Sequence, residues 1–172
     1  ETEQILSEKT VNYMNYCLTF ATQQGTGREA NLKGGYGVTN AGKTGTTAEN
    51  KDRWYCGFTG YYTAAVWTGF DSPEVIYGAT NPNGIGINNT ASYLFKQVMG
   101  PLHEGKEDVE LYDDSGMESV SVCTCSGKLA TDACQNDIRD GLKGQSFSCV
   151  QTALVYPEDI PSGHCDKHTE VE

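Results

Sequence analysis

The stretch AGKTGTT at residues 41–47 decides the fold, because its threonines favour a strand and two more β-type runs follow it closely. In residues 53–59, large side chains alternate along the chain, which is typical of a strand. Residues 62–70 form another β-type run, and Gly60 permits a tight turn between the two. The order of these runs predicts three antiparallel strands, the last two joined as a hairpin.

Two helices are predicted on either side of these strands. Residues 7–24 begin with Ser7 as a cap and end before Gly25. Apolar residues in this segment recur at three- and four-residue spacing, which predicts one buried face. They are Val11, Met14, Leu18 and Ala21. The second helix begins near Asn89 or Thr90 and runs to about Met99, so the fold class is α+β, an antiparallel sheet with packed helices.

Composition and charge argue against nucleic acid as a partner and against a membrane-spanning helix in this sequence. The chain has 172 residues, 37% of them hydrophobic, and a formal net charge of -11. Nucleic acid is excluded as a partner, because phosphate neutralisation needs clusters of lysine and arginine. No apolar run reaches the roughly 20 residues of a membrane helix, so we expect any membrane anchor to lie upstream of this chain.

The Lys43-Thr44-Gly45 triplet on a predicted strand is one of three signatures of penicillin-binding proteins and serine β-lactamases. The triplet alone is a weak signal, but its surroundings strengthen it. Gly25-Thr26-Gly27 precedes it, and residues 52–59 and 66–71 follow it in the expected order. Residues 5–103 therefore resemble the bifunctional, class A penicillin-binding proteins.

The resemblance implies a domain organisation. Residues 1–106 would be the C-terminal part of a transpeptidase domain of the penicillin-binding protein and serine β-lactamase fold. Residues 107–172 would be a cysteine-rich C-terminal extension, like that of some class A proteins of Gram-positive bacteria. The acidic, irregular run at 104–114 predicts a linker between the two.

The resemblance also assigns roles along the strand. Lys43 is the expected catalytic cation, and the backbone N–H of Thr46 is expected to complete an oxyanion hole. The hydroxyls of Thr44 and Thr46 suit a substrate carboxylate, and Gly45 lets an extended peptide approach the strand. With Thr47, these residues form the predicted substrate-binding strand.

The serine nucleophile of the family is absent from this sequence. No serine is followed three positions later by lysine, and no Ser-x-Asn motif is present. The family places both motifs before the Lys-Thr-Gly strand, so we expect them upstream of Glu1. This chain alone is therefore predicted to be inactive, and its sheet edge would be an aggregation hazard unless covered.

The implied function of the complete protein is peptidoglycan D,D-transpeptidation through an acyl-serine on the outer face of the bacterial membrane, with roles in cell shape and antibiotic resistance. The expected partners are peptidoglycan stem peptides, β-lactam antibiotics and the upstream part of the same domain, with no metal and no organic cofactor. Two alternatives remain. A serine β-lactamase shares the strand, although such enzymes normally finish soon after the last helix; a non-catalytic module would bind cell wall or a partner protein through residues 107–172.

Seven cysteines are present, five of them in the last 50 residues. Such clustering outside the membrane favours disulfides in a segment too small for its own core. The alternative is a zinc site, whose candidate ligands are Cys123, Cys125, Cys134, Cys165 and His168. Cys17 and Cys56 are predicted to be buried free thiols, and Trp54 and Trp67 are predicted to lie in the core.

Overall fold

A computed structural model describes residues 3–140 and 146–168 of the chain. The chain divides into two compact units, Glu1–Asp113 and Asp114–Glu172. Each combines short helices with antiparallel strands, which confirms an α+β architecture. The first unit carries the Lys-Thr-Gly strand and the second carries five of the cysteines.

The sheet of the first unit has the strand order β1-β2-β3. The strands are β1 (Ala41–Thr46), β2 (Asp52–Phe58) and β3 (Thr63–Gly69). Both pairs are antiparallel, as predicted, and Lys43 lies opposite Cys56. The two-residue strands β4 (Ala79–Thr80) and β5 (Gly86–Ile87) form a separate small hairpin.

Two longer helices form where the sequence predicts them. Helix α1 is Glu8–Gln23, and the Ser7 hydroxyl accepts a hydrogen bond from the Thr10 N–H at 3.2 Å. Helix α3 is Thr90–Met99, and the Asn89 side chain accepts from the Ser92 N–H at 2.9 Å. A shorter helix, α2, is Lys33–Tyr36. Three single 3₁₀ turns complete the unit: Arg28–Ala30, Ala48–Asn50 and Pro101–His103.

The core of the first unit forms around Tyr55 in the central strand. Tyr55 and Phe95 of α3 are both fully buried, and their rings meet edge to face with centroids 4.7 Å apart. The other buried members of this core are Ala30, Leu32, Ala91 and Met99. A Cβ atom added to Gly42 would overlap the Tyr55 hydroxyl, so β1 can cross this core only with glycine at that position.

The predicted buried face of α1 is wrong at Val11 and Met14, whereas Leu18 and Ala21 are half-buried. Val11 is 40% exposed and Met14 is 54% exposed, whereas Thr19 and Thr22 are buried. The helix period is correct, but the face toward the sheet is the threonine face. The physical reason is that α1 packs beside the Tyr55 hydroxyl, which needs a polar neighbour, and small side chains allow that close approach.

The predictions for the two tryptophans and two of the cysteines also need correction. Trp54 is 43% exposed and Trp67 is 42% exposed, and Cys17 and Cys56 are exposed free thiols. Trp54, Cys56 and Trp67 lie on the sheet face opposite Tyr55, because side chains alternate along a strand. The helices cover the Tyr55 face instead, so apolar strand residues on the other face remain accessible.

The acidic run predicted as a linker carries no helix or strand between residues 106 and 113. It is nevertheless anchored to the first unit. Asp108 pairs with Lys33 and accepts a hydrogen bond from the Thr39 N–H at 2.5 Å. The Asn15 side chain also donates to the Leu111 carbonyl at 2.7 Å.

The second unit is built on the antiparallel pair β6 (Glu118–Cys123) and β9 (Val150–Val155). A short helix, α4 (Asp132–Asn136), and a second pair, β7 (Ile138–Asp140) with β8 (Ser146–Ser148), lie between them in sequence. The buried cluster of this unit consists of cysteines, namely Cys123, Cys134 and Cys165.

Candidate functional site

Strand β1 lies at one edge of its sheet, with β2 on one side only. Within residues 3–140 and 146–168, no strand pairs with its other edge. The Thr47 N–H donates to the Asp52 carbonyl at 3.2 Å, toward β2. Residues in an antiparallel strand alternate in the direction of their backbone groups, so the N–H groups of Thr44 and Thr46 point toward the open edge.

The Lys43 ammonium is exposed beside this open edge. Its Nζ lies 3.2 Å from the Thr44 carbonyl oxygen and 3.3 Å from the Thr44 hydroxyl. Gly45 shares a sheet face with Lys43, and Thr44 faces the helices. The strand therefore offers one cation, two hydroxyls and outward backbone N–H groups within four consecutive residues.

The turn after α1 meets the middle of β1. The Thr26 and Thr44 hydroxyl oxygens are 2.9 Å apart, within hydrogen-bond distance. A Cβ atom on Gly27 would lie 3.2 Å from the Tyr55 ring, so the glycine lets this turn pack closely. The Thr26–Thr44 contact thus joins the turn after α1 to the Lys-Thr-Gly strand.

The buried Tyr55 side chain connects helix α1 with the start of strand β1. Its hydroxyl lies 2.9 Å from the Thr22 hydroxyl and 3.4 Å from the Asn40 side-chain nitrogen. Burial raises the pKa of Tyr55 to about 12, although both hydrogen bonds act against this rise. The tyrosine is therefore neutral at physiological pH and can act as both donor and acceptor between α1 and β1.

Thr47 lies at the end of β1, where the chain turns into β2. Its hydroxyl donates to the Asp52 carboxylate at 3.1 Å and accepts from the Asp52 N–H at 2.8 Å. The Asp52 carboxylate also accepts from the Trp67 indole N–H at 2.9 Å. The Thr47 side chain thus holds the turn in this structure, while Thr46 remains exposed.

A groove of about 520 Å³ lies elsewhere on the first unit, between the start of α1 and residues 110–113. Its lining includes Glu8, Asn12, Asn15 and Asp113. None of the residues predicted to bind substrate lines this groove. Because of this lining, the groove is not the candidate active site, whatever its volume.

The second unit brings together a different set of reactive side chains. Cys123, Cys134, Cys165 and His168 place one potential ligand atom each within 4.8 Å of all the others. The first three are the buried cysteines of the unit's core. All seven cysteines are free thiols in the structure, which therefore does not confirm the predicted disulfides. The Cys125 and Cys149 sulphur atoms lie 3.3 Å apart.

The thiols of this unit differ in their ionisation. Hydrogen bonding, first with the Ser126 side chain and then with the Lys167 N–H and His168, lowers the pKa of Cys165 to about 5 against the effect of burial. Burial, reinforced by Cys125 and Asp137, raises the pKa of Cys149 to about 12. Cys165 and Cys149 thus prefer opposite charge states.

Sequence reasoning identified four of these side chains as possible ligands but missed Asp137. Its carboxylate oxygen lies 2.8 Å from His168 Nε2. Because 31 positions separate the two residues, no local spacing pattern indicates this contact. Cys125, by contrast, was included among the candidate ligands but lies outside the group of Cys123, Cys134, Cys165 and His168.

No protein-family profile matches the chain, but the chain is similar in sequence to several curated proteins. The chain is 32% identical over 141 residues to penicillin-binding protein 1A of Clostridium tetani, covering 81% of this chain and 16% of that protein. It is 39% identical over 133 residues to penicillin-binding protein 1A of Pseudomonas aeruginosa, covering 74% and 15%. The match to penicillin-binding protein 1A of Clostridium novyi is 27% identical and covers 98% and 18%. The chain thus spans about a sixth of the length of the curated relatives it matches.

Proposed function

This chain is a relative of the class A penicillin-binding proteins, and on that premise we propose that it forms the Lys-Thr-Gly wall of a peptidoglycan D,D-transpeptidase site. The observation that carries the proposal is the open edge of β1, where Lys43 lies beside the outward N–H groups of Thr44 and Thr46. The match to the protein of Clostridium novyi covers 98% of the chain, so that similarity extends over this strand's unit.

The chemistry of this edge suits a peptide that ends in a carboxylate. The Lys43 ammonium attracts the carboxylate, and the hydroxyls of Thr44 and Thr46 donate hydrogen bonds to it. An extended peptide can add to the open edge through its backbone, with Gly45 leaving room beside the strand. The same features would hold a β-lactam, because its carboxylate and carbonyl imitate those of the acyl donor.

The proposed reaction passes through an acyl-serine. The serine oxygen attacks the carbonyl of the penultimate residue of the stem peptide, and the peptide bond breaks to release the terminal D-alanine. The Thr46 N–H stabilises the negative charge that develops on the carbonyl oxygen. The amine of a neighbouring stem peptide then attacks the acyl-serine, forms the cross-link and regenerates the hydroxyl.

The nucleophile must come from residues other than these. The 172-residue sequence contains no serine followed three positions later by lysine. We therefore propose that the serine and its general base belong to a part of the protein outside this sequence. The reaction as proposed needs no metal and no organic cofactor at this site.

The proposed location is the outer face of the bacterial cell membrane, where peptidoglycan is cross-linked. In residues 3–140 and 146–168, no helix combines the length and the apolar character needed to cross a membrane. The location rests on the relationship to the class A penicillin-binding proteins.

Labelling by a fluorescent penicillin tests the proposal in the full-length protein that contains this chain. Lys43→Ala should lower the rate of acylation by at least about 100-fold, because it removes the cation that orients the carboxylate. Lys51→Ala is the matched control, since Lys51 is on the following turn and pairs with Glu49. The control should label at the wild-type rate.

Two results would overturn the proposal. The first is a Lys43→Ala variant that remains folded and labels as fast as the Lys51→Ala variant. The second is acylation of the 172-residue chain by itself, detected as one added penicillin by intact mass, because the nucleophile would then lie within this sequence. Rapid hydrolysis of the penicillin by the full-length protein would instead favour a β-lactamase.

A further inference from the structure

Three thiols and one imidazole converge in the second unit from three separate segments. Cys123 ends strand β6, Cys134 lies in helix α4, and Cys165 and His168 lie in the C-terminal segment. Cys123 and Cys134 are fully buried, and Cys165 is 8% exposed. Residues 45 positions apart therefore meet at one point in the folded unit.

The distances from the imidazole nitrogen to two of the sulphurs match the edges of a tetrahedron around one small cation. His168 Nδ1 lies 3.5 Å from the Cys123 sulphur and 3.3 Å from the Cys165 sulphur. Zinc bonds of about 2.3 Å to sulphur and 2.0–2.1 Å to nitrogen give tetrahedral edges of about 3.6 Å between nitrogen and sulphur. We propose that Cys123, Cys134, Cys165 and His168 bind one Zn²⁺ ion.

The histidine is oriented for this role by Asp137. The His168 Nε2 atom lies 2.8 Å from the Asp137 carboxylate, in hydrogen-bond geometry that places the ring proton on Nε2. The lone pair of Nδ1 is then directed toward the two sulphur atoms. A carboxylate behind a histidine is the usual support of a zinc-bound imidazole, so Asp137 is a positioning residue.

Backbone donors reach two of the three sulphur atoms. The Lys167 N–H donates to the Cys165 sulphur at 3.4 Å, and the Thr131 N–H donates to the Cys134 sulphur at 3.3 Å. Hydrogen bonds of this kind favour thiolates, the form that binds metal. Zinc binding would release the thiol protons to solvent, and the ion would offset two of the three negative charges that the buried sulphurs then carry.

A disulfide would account for only two of the four side chains in this cluster. A bond between any two of the three sulphurs would leave the third as a buried thiol and would give the imidazole no role. The Cys125 and Cys149 pair, with sulphurs 3.3 Å apart, lies outside the group and can form a disulfide without using any of its ligands.

A second arrangement of Cys125, Asp137, Cys149 and His168 also brings its ligand atoms within 4.8 Å. It would require Asp137 to leave Nε2 of the histidine and bind the metal itself. It also offers two sulphurs rather than three, whereas structural zinc sites favour sulphur-rich sets. The cluster of three cysteines and His168 is therefore the better site.

All four positions around the proposed zinc are filled by protein, which is typical of a structural rather than a catalytic zinc. The ion would join the end of β6, the helix α4 and the C-terminal segment. A unit of this size has little apolar core, since its buried cluster consists of the cysteines themselves. A metal is one of the ways by which so small a unit becomes stable.

Metal analysis of the full 172-residue chain tests this proposal. The chain, purified under reducing conditions and loaded with zinc, should retain one Zn²⁺ per molecule after removal of free metal. Replacement by Co²⁺ should produce the visible absorption of tetrahedral cobalt and charge-transfer bands from bound thiolates. Each of Cys123→Ser, Cys134→Ser, Cys165→Ser and His168→Ala should lose the metal or these bands.

Matched controls separate the proposed ligands from other thiols. Cys17→Ser and Cys56→Ser remove exposed cysteines of the first unit and should retain one ion. Cys125→Ser should also retain it, which excludes the second arrangement. Asp137→Asn should keep the cobalt spectrum but weaken zinc affinity about 10–100-fold, as expected for a residue that supports the histidine.

The proposal is overturned if the reduced wild-type chain binds no zinc under these conditions. It is equally overturned if peptide mapping of the oxidised native protein finds Cys123, Cys134 or Cys165 in disulfides with one another. Loss of zinc from Cys125→Ser together with retention by Cys123→Ser would assign the metal to the other set of residues. None of these readouts depends on penicillin labelling, so the proposal can fail while the proposed transpeptidase role stands.

Discussion

At the scale of single residues, the Thr46 backbone differs from its side chain in what it can contribute. The hydroxyl is exposed, while the N–H is directed toward the open edge of β1 by the alternation of the strand. A proline at this position would remove the N–H without breaking a bond to β2. The two contributions can therefore be separated by mutation.

We expect Thr46→Pro to slow penicillin acylation of the full-length protein by about 10²–10³-fold, the usual effect of losing one oxyanion-hole donor. Thr46→Val keeps the N–H and should cost less than this. Stopped-flow acylation kinetics would measure both rates, and thermal unfolding would verify that each variant is folded. Equal acylation rates for the two folded variants would contradict the proposed oxyanion role of the Thr46 N–H.

Tyr55 combines a buried ring with a hydroxyl that bridges Thr22 and Asn40. Tyr55→Phe keeps the ring but leaves these polar partners without their shared contact. We expect the free energy of unfolding to fall by about 1–3 kcal/mol. Urea unfolding would measure this difference.

Tyr77→Phe is the matched control, because Tyr77 is 82% exposed. It should change stability by less than about 0.5 kcal/mol. Similar effects of the two substitutions would mean that the buried hydroxyl contributes nothing to the packing of α1 on β1.

At the scale of elements, the acidic segment after α3 is tied to the start of the sheet by Asp108. Its carboxylate pairs with Lys33 in α2 and accepts from the Thr39 N–H, just before β1. Although partial burial raises it, the hydrogen bonds from Lys33 and Thr39 hold the pKa of Asp108 below its ordinary value of 3.8. The contact stabilises the strand that carries Lys43.

The lowered pKa gives this contact a defined pH dependence. A carboxyl whose pKa is lower in the folded than in the unfolded chain stabilises the fold at pH values above the unfolded pKa. That contribution is lost as the pH falls through the folded pKa. Asp108→Asn should therefore lower the free energy of unfolding by about 0.5–1 kcal/mol at pH 7, a small effect because solvent screens the pair.

The difference between wild type and Asp108→Asn should shrink when urea unfolding is repeated at successively lower pH below 4. Glu74→Gln provides a control, since Glu74 is an exposed carboxylate elsewhere on the unit. A difference that stays constant with pH would show that the asparagine perturbs packing and that the charge of Asp108 is not the cause.

At the scale of the whole molecule, the chain combines two compact units with different sources of stability. The first unit has an aromatic and aliphatic core around Tyr55, whereas the buried cluster of the second is made of cysteines. If zinc holds the second unit together, removal of the metal should affect the two units differently.

We expect a strong chelator to accelerate hydrogen exchange in β6 and β9 of the reduced, zinc-loaded chain. The amides of β1, β2 and β3 should keep their protection, because no proposed ligand lies in that sheet. Exchange followed by mass spectrometry would resolve the two regions. Unchanged protection of β6 and β9 after metal removal would mean that zinc, even if bound, does not stabilise this unit.

Much of the first unit follows from local sequence patterns. The caps Ser7 and Asn89 and the alternating runs around Lys43 predict α1, α3 and the three-stranded sheet to within a few residues. The Lys43-Thr44-Gly45 triplet and its surroundings likewise indicate the class A penicillin-binding proteins, a relationship that the curated relatives support. These features depend on residues that are close together in the chain, so the sequence by itself determines them.

Only the tertiary structure decides which faces and side chains meet. The threonine face of α1, rather than the face with Val11 and Met14, packs on the sheet because Tyr55 places a hydroxyl there. The contact of Asp137 with His168, and the meeting of Cys123 with the C-terminal segment, join residues more than 30 positions apart. Such contacts arise from long-range packing of several segments at once, and no local periodicity or spacing encodes them.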